Sequence, residues 1–144
     1  SILADPRGIN IKNIINKKIK RRESFRPFAP SVLKEHQKNW FHGDYNNLYM
    51  SSVMRAKEDK IKLIPAVVHV DGTSRVQTVN KEINFRFYNL INKFYEKTNV
   101  PMLLNTSFNE NEPIVRKPEE AIDCFLRTDM DALFINDYYI KKIK

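Results

Sequence analysis

The stretch IPAVVHVDGTSRVQTV, residues 64–79, places two β-branched runs on either side of Asp71-Gly72. Such runs favour strands, because branched side chains pack well on a pleated, half-buried surface. An Asp-Gly pair between them signals a two-residue type I′ hairpin, whose central residues need positive φ. With Asp71 and Gly72 as the loop, Val70 faces Thr73 and Val68 faces Arg75. Arg75 then shares a sheet face with two valines. It either carries its guanidinium out to water along its apolar stem or meets an anion.

Downstream, Ile83, Phe87, Leu90, Ile91 and Phe94 recur at three- and four-residue spacing, which predicts a helix over 82–97 with a wide buried stripe. Pro101 ends it, and PMLLNTSFN (101–109) reads as a short buried strand running into a loop. Pro118 suits the first position of a second helix, with Glu119 and Glu120 favoured at its positive end. Ala121, Ile122, Phe125 and Leu126 are its expected inner face. ALFI and YYIKK flank Asn136-Asp137, a further hairpin signal.

Upstream, INIKNIINKKIK (9–20) puts Ile11, Ile14, Ile15 and Ile19 on one helical face among lysines. FRPFAPSVL (25–33) has prolines at 27 and 30 and is expected to be extended, at an edge or a pocket wall. KEHQKNWF fits a short helix, residues 43–47 a loop, 49–55 a strand and KEDK a surface turn. The expected architecture is therefore α/β, a mixed twisted sheet with covering helices in one domain.

The 144 residues include 42% hydrophobic and 16 aromatic side chains, enough for a real core. No 18-residue apolar run exists, so no membrane helix is expected, and a lone cysteine, Cys124, fits a small core residue in a cytoplasmic protein. The net charge of +8 admits anionic partners, from nucleic acid to phosphorylated small molecules. The chain opens on Ser1, as a processed or excised piece would.

Several machines are excluded. With only Gly8, Gly43 and Gly72 there is neither a Walker loop nor a dinucleotide fingerprint. His36, His42 and His69 make no H-E-x-x-H pair, and one cysteine builds no zinc site. A phosphate bound here must be held by lysine and arginine side chains, helix N-termini and small polar groups. Attention falls on Arg26, Arg75 and the polar LLNTSFN (103–109). Asn105 and Ser107 end an apolar strand, a place for ligand-contacting loops as well as for ordinary polar turns.

SILADPR (1–7), RRESFRPFAPSVL (21–33), IPAVVHVDGTSRVQTV (64–79), PMLLNTSFNENEPIV (101–115) and KPEEAIDCFLRTDMDALFI (117–135) occur in order. Together they resemble the C-terminal region of the O-carbamoyltransferases of the NodU, CmcH and TobZ type. The resemblance implies the C-terminal portion (1–144) of a YrdC-like domain, incomplete here. An N-terminal ASKHA-like domain with an iron-type metal site is implied outside this chain. It implies carbamoyl phosphate and ATP, with Mg²⁺, as ligands that form carbamoyl-adenylate. The acceptor would be a hydroxyl of a sugar or natural product, and the piece alone would be inactive.

Position by position, Lys20, Arg26, Arg75, Asn105 and Ser107 fall on substrate- and ATP-binding positions. Arg26 and Arg75 are the expected phosphate clamp, in the catalytic role. One departure stands out: the family reads N-x-x-G-E-P-I where this chain has NENEPI, without glycine. Asn109 or Asn111 is expected to supply the left-handed conformation instead. The rival reading is a basic RNA-binding YrdC-like module without catalysis, whose affinity would fall steeply with salt.

Overall fold

The computed structural model describes residues 1–143. In chain order its elements are β1 (Ile2–Ala4), α1 (Ile11–Ile14), a π-helical turn (Ile15–Ile19), β2 (Ala29–Leu33), a 3₁₀ turn (Lys34–His36) and α2 (Gln37–Trp40). There follow β3 (Met54–Arg55), α3 (Glu58–Ile61), β4 (Thr73–Ser74) and β5 (Gln77–Val79). The chain ends with α4 (Phe85–Thr98), β6 (Met102–Thr106), α5 (Pro118–Arg127), β7 (Ala132–Ile135) and β8 (Tyr138–Lys141). Two compact units result. The first holds Ser1, Asn13–Arg26 and the residues from Ser107 onward, the second Ile2–Lys12 and Pro27–Thr106.

The second unit is built on a mixed sheet of order β1-β6-β2-β5, in which β2 runs parallel to β5 and antiparallel to β6. All five residues of β2 are buried and it lies between β5 and β6, so the segment is extended as expected but, of the edge or pocket wall its prolines suggest, it is not an edge. Pro30 is tolerated because pairing with β5 begins only at Ser31. On one face, Leu33, Val79 and Leu103 pack with Ile91 of α4, joined by Phe87 and Phe94. Asn84 caps α4 by accepting from the Phe87 N–H, and Asn99 (φ 58°) ends it in the left-handed region. Ile83 precedes that helix and Leu90 stays half exposed, so its buried stripe is narrower than the spacing implied.

The expected hairpin over 64–79 does not form. Its turn is present, with the Gly72 N–H donating to the His69 carbonyl and Gly72 at φ +79°. Asp71 Oδ1 accepts from the backbone N–H and the hydroxyl of Thr73. Residues 64–70, however, wind through local turns, and β4 pairs with β3 instead. Pro65 removes a ladder donor, and the Ala66 N–H goes to the Pro6 carbonyl. Ala66, Val67 and Val68 are buried in succession while Val70 is fully exposed, so no period-two face exists for Arg75 to share. Of the strand expected at 49–55, only Met54–Arg55 is observed, and KEDK lies largely in α3.

In the first unit the lysine-rich segment changes pitch after Ile14. The π-helical turn buries Ile15 and Ile19 and leaves Ile14 exposed, which splits the apolar face read from the sequence. Helix α5 begins at Pro118 as expected but buries Ala121, Cys124 and Phe125, with Ile122 and Leu126 turned outward. Strands β7 and β8 form the hairpin expected around Asn136, whose φ is 52°. Among the described residues no helix is long and apolar enough to cross a membrane.

The central position of β6 gives a stability prediction. Leu104 is fully buried, so Leu104→Ala should cost about 2–5 kcal/mol, whereas truncating the exposed Phe134 should cost under about 1 kcal/mol. Urea unfolding of the two variants reads the difference directly.

Candidate functional site

Lys20 follows the π-helical turn, and its N–H closes that turn on the Ile15 carbonyl at 2.8 Å. The side chain is buried, 2% exposed. Its ammonium donates to the Ser107 carbonyl (2.8 Å), Ser107 Oγ (3.0 Å), the Asn109 carbonyl (2.9 Å) and Asn109 Oδ1 (2.6 Å). Among the described residues no carboxylate lies within ion-pair distance of it. Burial, followed by the charge of Arg22, pushes its pKa down to about 8. A cation held by neutral groups alone is a site with charge to spare.

The loop that holds Lys20 is itself held by carboxylates. Glu112 accepts from the N–H groups of Glu110 and Asn111, and Arg127 adds a contact at 3.3 Å. Backbone hydrogen bonds, reinforced by the Arg127 charge, bring the Glu112 pKa down to about 2. This carboxylate organises the turn in the NENEPI segment without glycine. Neither Asn109 nor Asn111 is left-handed, which corrects that expectation; Arg21, at φ 43°, is. Buried Glu110 pairs with Arg21 at 2.7 Å and with Arg127, and Arg127 also bonds Asp123 at 2.8 Å. A pocket of about 420 Å³ beside α5 is lined by Arg116, Lys117 and Glu120, but Glu120 already accepts the N–H groups of the other two.

Arg26 belongs to the same unit. Its guanidinium is exposed and meets Glu23 at 3.1 Å, while buried Asn16 donates to the carbonyls of Ser24 and Arg26. The backbone is fixed and the head group is free to exchange partners, since an exposed pair of this kind contributes little.

In the second unit the sheet face under α4 divides along the strands. Two residues from Leu33, Val79 and Leu103, on the same face, stand Ser31, Gln77 and Asn105. Ser31 Oγ donates to Gln77 Oε1 at 2.6 Å, and Asn105 Nδ2 donates to Ser31 Oγ (3.0 Å) and Gln77 Oε1 (3.2 Å). This row spans three strands. Arg75, two residues before Gln77, is exposed, and among the described residues no hydrogen bond or ion pair engages it. It is felt by His69, whose pKa is lowered by burial, then by Lys12 and Arg75, against the opposing pull of Asp71.

The structure thus joins Lys20 with Ser107 in one unit and seats Asn105 in a polar row in the other, with Arg26 in the first unit and Arg75 in the second. Sequence reasoning missed Gln77, Ser31 and the Asn109–Glu112 turn. A polar residue two positions away from an apolar one, Gln77 from Val79, Ser31 from Leu33 and Asn105 from Leu103, was the available signal for the row. Among the described residues no cluster of three or more His, Cys, Asp and Glu could hold a metal ion.

A mixed α/β fold that presents cationic and amide donors, with one buried ammonium lacking a counter-charge, is suited to gripping anionic or polar groups by hydrogen bonds. The chain belongs to the family described as Carbamoyltransferase C-terminus, whose profile matches residues 1–142. It is 48% identical to the nodulation protein NolNO of Sinorhizobium fredii over 99% of this chain and 22% of that protein. It is 39% identical to the 3'-hydroxymethylcephem-O-carbamoyltransferase of Amycolatopsis lactamdurans, over 96% of this chain and 26% of that enzyme. Nodulation protein U of Azorhizobium caulinodans is 35% identical over 76% of this chain and 19% of its own length. The chain therefore spans about a quarter of the length of these relatives.

The low pKa of Glu112 has a signed consequence. A folded carboxyl below its ordinary 4.5 contributes stability that is fully present above 4.5 and is lost as pH falls toward about 2. Glu112→Gln should flatten the acid limb of a stability-versus-pH curve in that window and leave the neutral-to-alkaline shape unchanged. An unchanged acid limb would mean that the carboxylate does not hold the turn.

Proposed function

We propose that this chain is the C-terminal part of an O-carbamoyltransferase, and that it supplies side chains which bind carbamoyl phosphate and ATP. The observation that carries this reading is the family match over residues 1–142, joined to the likeness to a named O-carbamoyltransferase. The unengaged guanidinium of Arg75 and the loosely paired one of Arg26 support it. In this reading the sheet belongs to a YrdC-like domain, and an N-terminal ASKHA-like domain carries the acceptor site.

Carbamoyl phosphate gives up inorganic phosphate to water and leaves a carbamate. A carbamate oxygen then attacks the α-phosphorus of ATP, pyrophosphate leaves, and carbamoyl-adenylate is formed. Negative charge builds on phosphoryl oxygens during that displacement, and cations fixed beforehand lower its barrier. Arg26 in the first unit and Arg75 in the second are each a candidate for that role, as planar, permanently charged forks. Asn105, held by Ser31 and Gln77, orients a neutral group, and Mg²⁺ enters with ATP. The activated carbamoyl group then passes to an acceptor hydroxyl, with AMP as leaving group.

In the full-length enzyme, Arg75→Ala or Arg26→Ala should lower carbamoyl-phosphate-dependent exchange of pyrophosphate into ATP a hundredfold or more, about 3–4 kcal/mol for one lost transition-state contact. Exchange at near wild-type rate in either variant rules out the clamp.

A further inference from the structure

The side chain of Asn109 does something that neither the family match nor the proposed chemistry requires. Its Oδ1 lies 2.6 Å from Lys20 Nζ and accepts from Ser107 Oγ at 2.7 Å, while Nζ and Oγ are themselves 3.0 Å apart. One oxygen thus sits at the meeting point of an ammonium and a hydroxyl. Its distance from Nζ is at or below the short end of charge-assisted bonds, although the acceptor is a neutral amide. The amide orientation is fixed from behind, because Nδ2 donates to the Glu112 carbonyl at 2.6 Å.

The ammonium does not need this oxygen to stay in place. Three N–H bonds serve four acceptors. The two backbone carbonyls, of Ser107 and Asn109, anchor two of them at 2.8 and 2.9 Å. The third is shared by Asn109 Oδ1 and Ser107 Oγ. Ser107 is exposed, and its only proton points at Asn109, so in this arrangement it has no donor left for a ligand. Among the described residues no carboxylate competes for the position: Glu110 is taken by Arg21 and Arg127, and Glu112 by the backbone at 110 and 111.

We propose that Asn109 Oδ1 is a placeholder acceptor, occupying the point between Lys20 Nζ and Ser107 Oγ that an anionic phosphate-type oxygen takes when a ligand binds. Asn109 keeps the two donors converged and satisfied in the free protein. It swings out when a better acceptor arrives, and the ammonium remains on its two carbonyls throughout. Ligand binding is weakened by the cost of displacing an internal partner, and the site discriminates against neutral or weakly basic oxygens. The inference rests on the reading of Lys20 and Ser107 as ligand-binding residues.

The test uses the full-length protein with ¹⁵N-labelled lysine, following the Lys20 Nζ resonance during separate additions of inorganic phosphate, carbamoyl phosphate and ATP. Asn109→Ala removes the placeholder but leaves both carbonyl anchors, and should tighten anion binding at Lys20 roughly three- to tenfold. Asn109→Asp puts a permanent charge at the same point. It should weaken binding by about tenfold or more and raise the Lys20 pKa from about 8, with Arg22, Glu112 and Cys124 as the titratable neighbours unchanged. Asn109→Ser serves the same purpose as Asn109→Ala if the latter fails to fold. Affinity that is unchanged or weakened in Asn109→Ala (or in Asn109→Ser, where that stands in), or a Lys20 resonance that no anion moves, overturns the proposal. A Lys20 response to inorganic phosphate alone, in the expected order of variants, sinks the carbamoyl reading and leaves the placeholder standing.

Discussion

Burying a lysine ammonium without a carboxylate imposes a condition on everything around it. The desolvation cost must be met by hydrogen bonds to neutral atoms, and in this chain those acceptors belong to a segment nearly ninety residues away in sequence. The turn before Lys20 widens to a π-helical pitch, and Arg21 enters a left-handed conformation that costs a non-glycine residue about 1 kcal/mol or more. Both distortions let consecutive side chains diverge, Lys20 into its nest and Arg21 onto Glu110. The loop at 107–112 is then obliged to present carbonyls inward. Glu112 makes this possible by gathering the N–H groups of Glu110 and Asn111 on one carboxylate.

The second unit solves a related problem with a sheet. Strand β2 is wholly buried between β5 and β6, so each residue on it must be apolar or internally bonded. Helix α4 covers one end of a face with Ile91, Phe87 and Phe94. The other end carries Ser31, Gln77 and Asn105, which satisfy one another across three strands. The polarity change along a single face marks where helix cover stops. It also confers rigidity, since a row in which every member is bonded has one arrangement and not several.

Local chemistry was legible in the sequence and pairing was not. Pro118 with Glu119 and Glu120 announced α5, and Asn136 announced the β7–β8 hairpin, because caps and left-handed turns depend on residues within a few positions. The Asp71-Gly72 turn was found for the same reason. Its strand partner was not legible, since β-branched composition at 64–70 cannot say whether a run is wound or extended when Pro65 lies within it and Ile64, Ala66, Val67 and Val68 are all buried. At the site, residues that the resemblance singled out were visible as motifs. Asn109 as the junction of Lys20 and Ser107 was invisible, because that geometry is created by long-range contact and leaves no period in the sequence.

The two kinds of cation sit in different surroundings for physical reasons. A guanidinium spreads five N–H groups over a plane and cannot converge on two carbonyls, an amide oxygen and a hydroxyl around one point; a tetrahedral ammonium can. Lys20 therefore suits an enclosed nest, and its compact charge also permits a shifted pKa that an arginine would resist. Arg75 and Arg26 are exposed, where permanent charge and a two-pronged fork favour capture of an incoming oxyanion over retention of an internal one. Exchanging lysine for arginine at position 20 would force the guanidinium plane into a space shaped for a sphere, and Asn109 Oδ1 would lose the compact ammonium it meets beside the Ser107 hydroxyl.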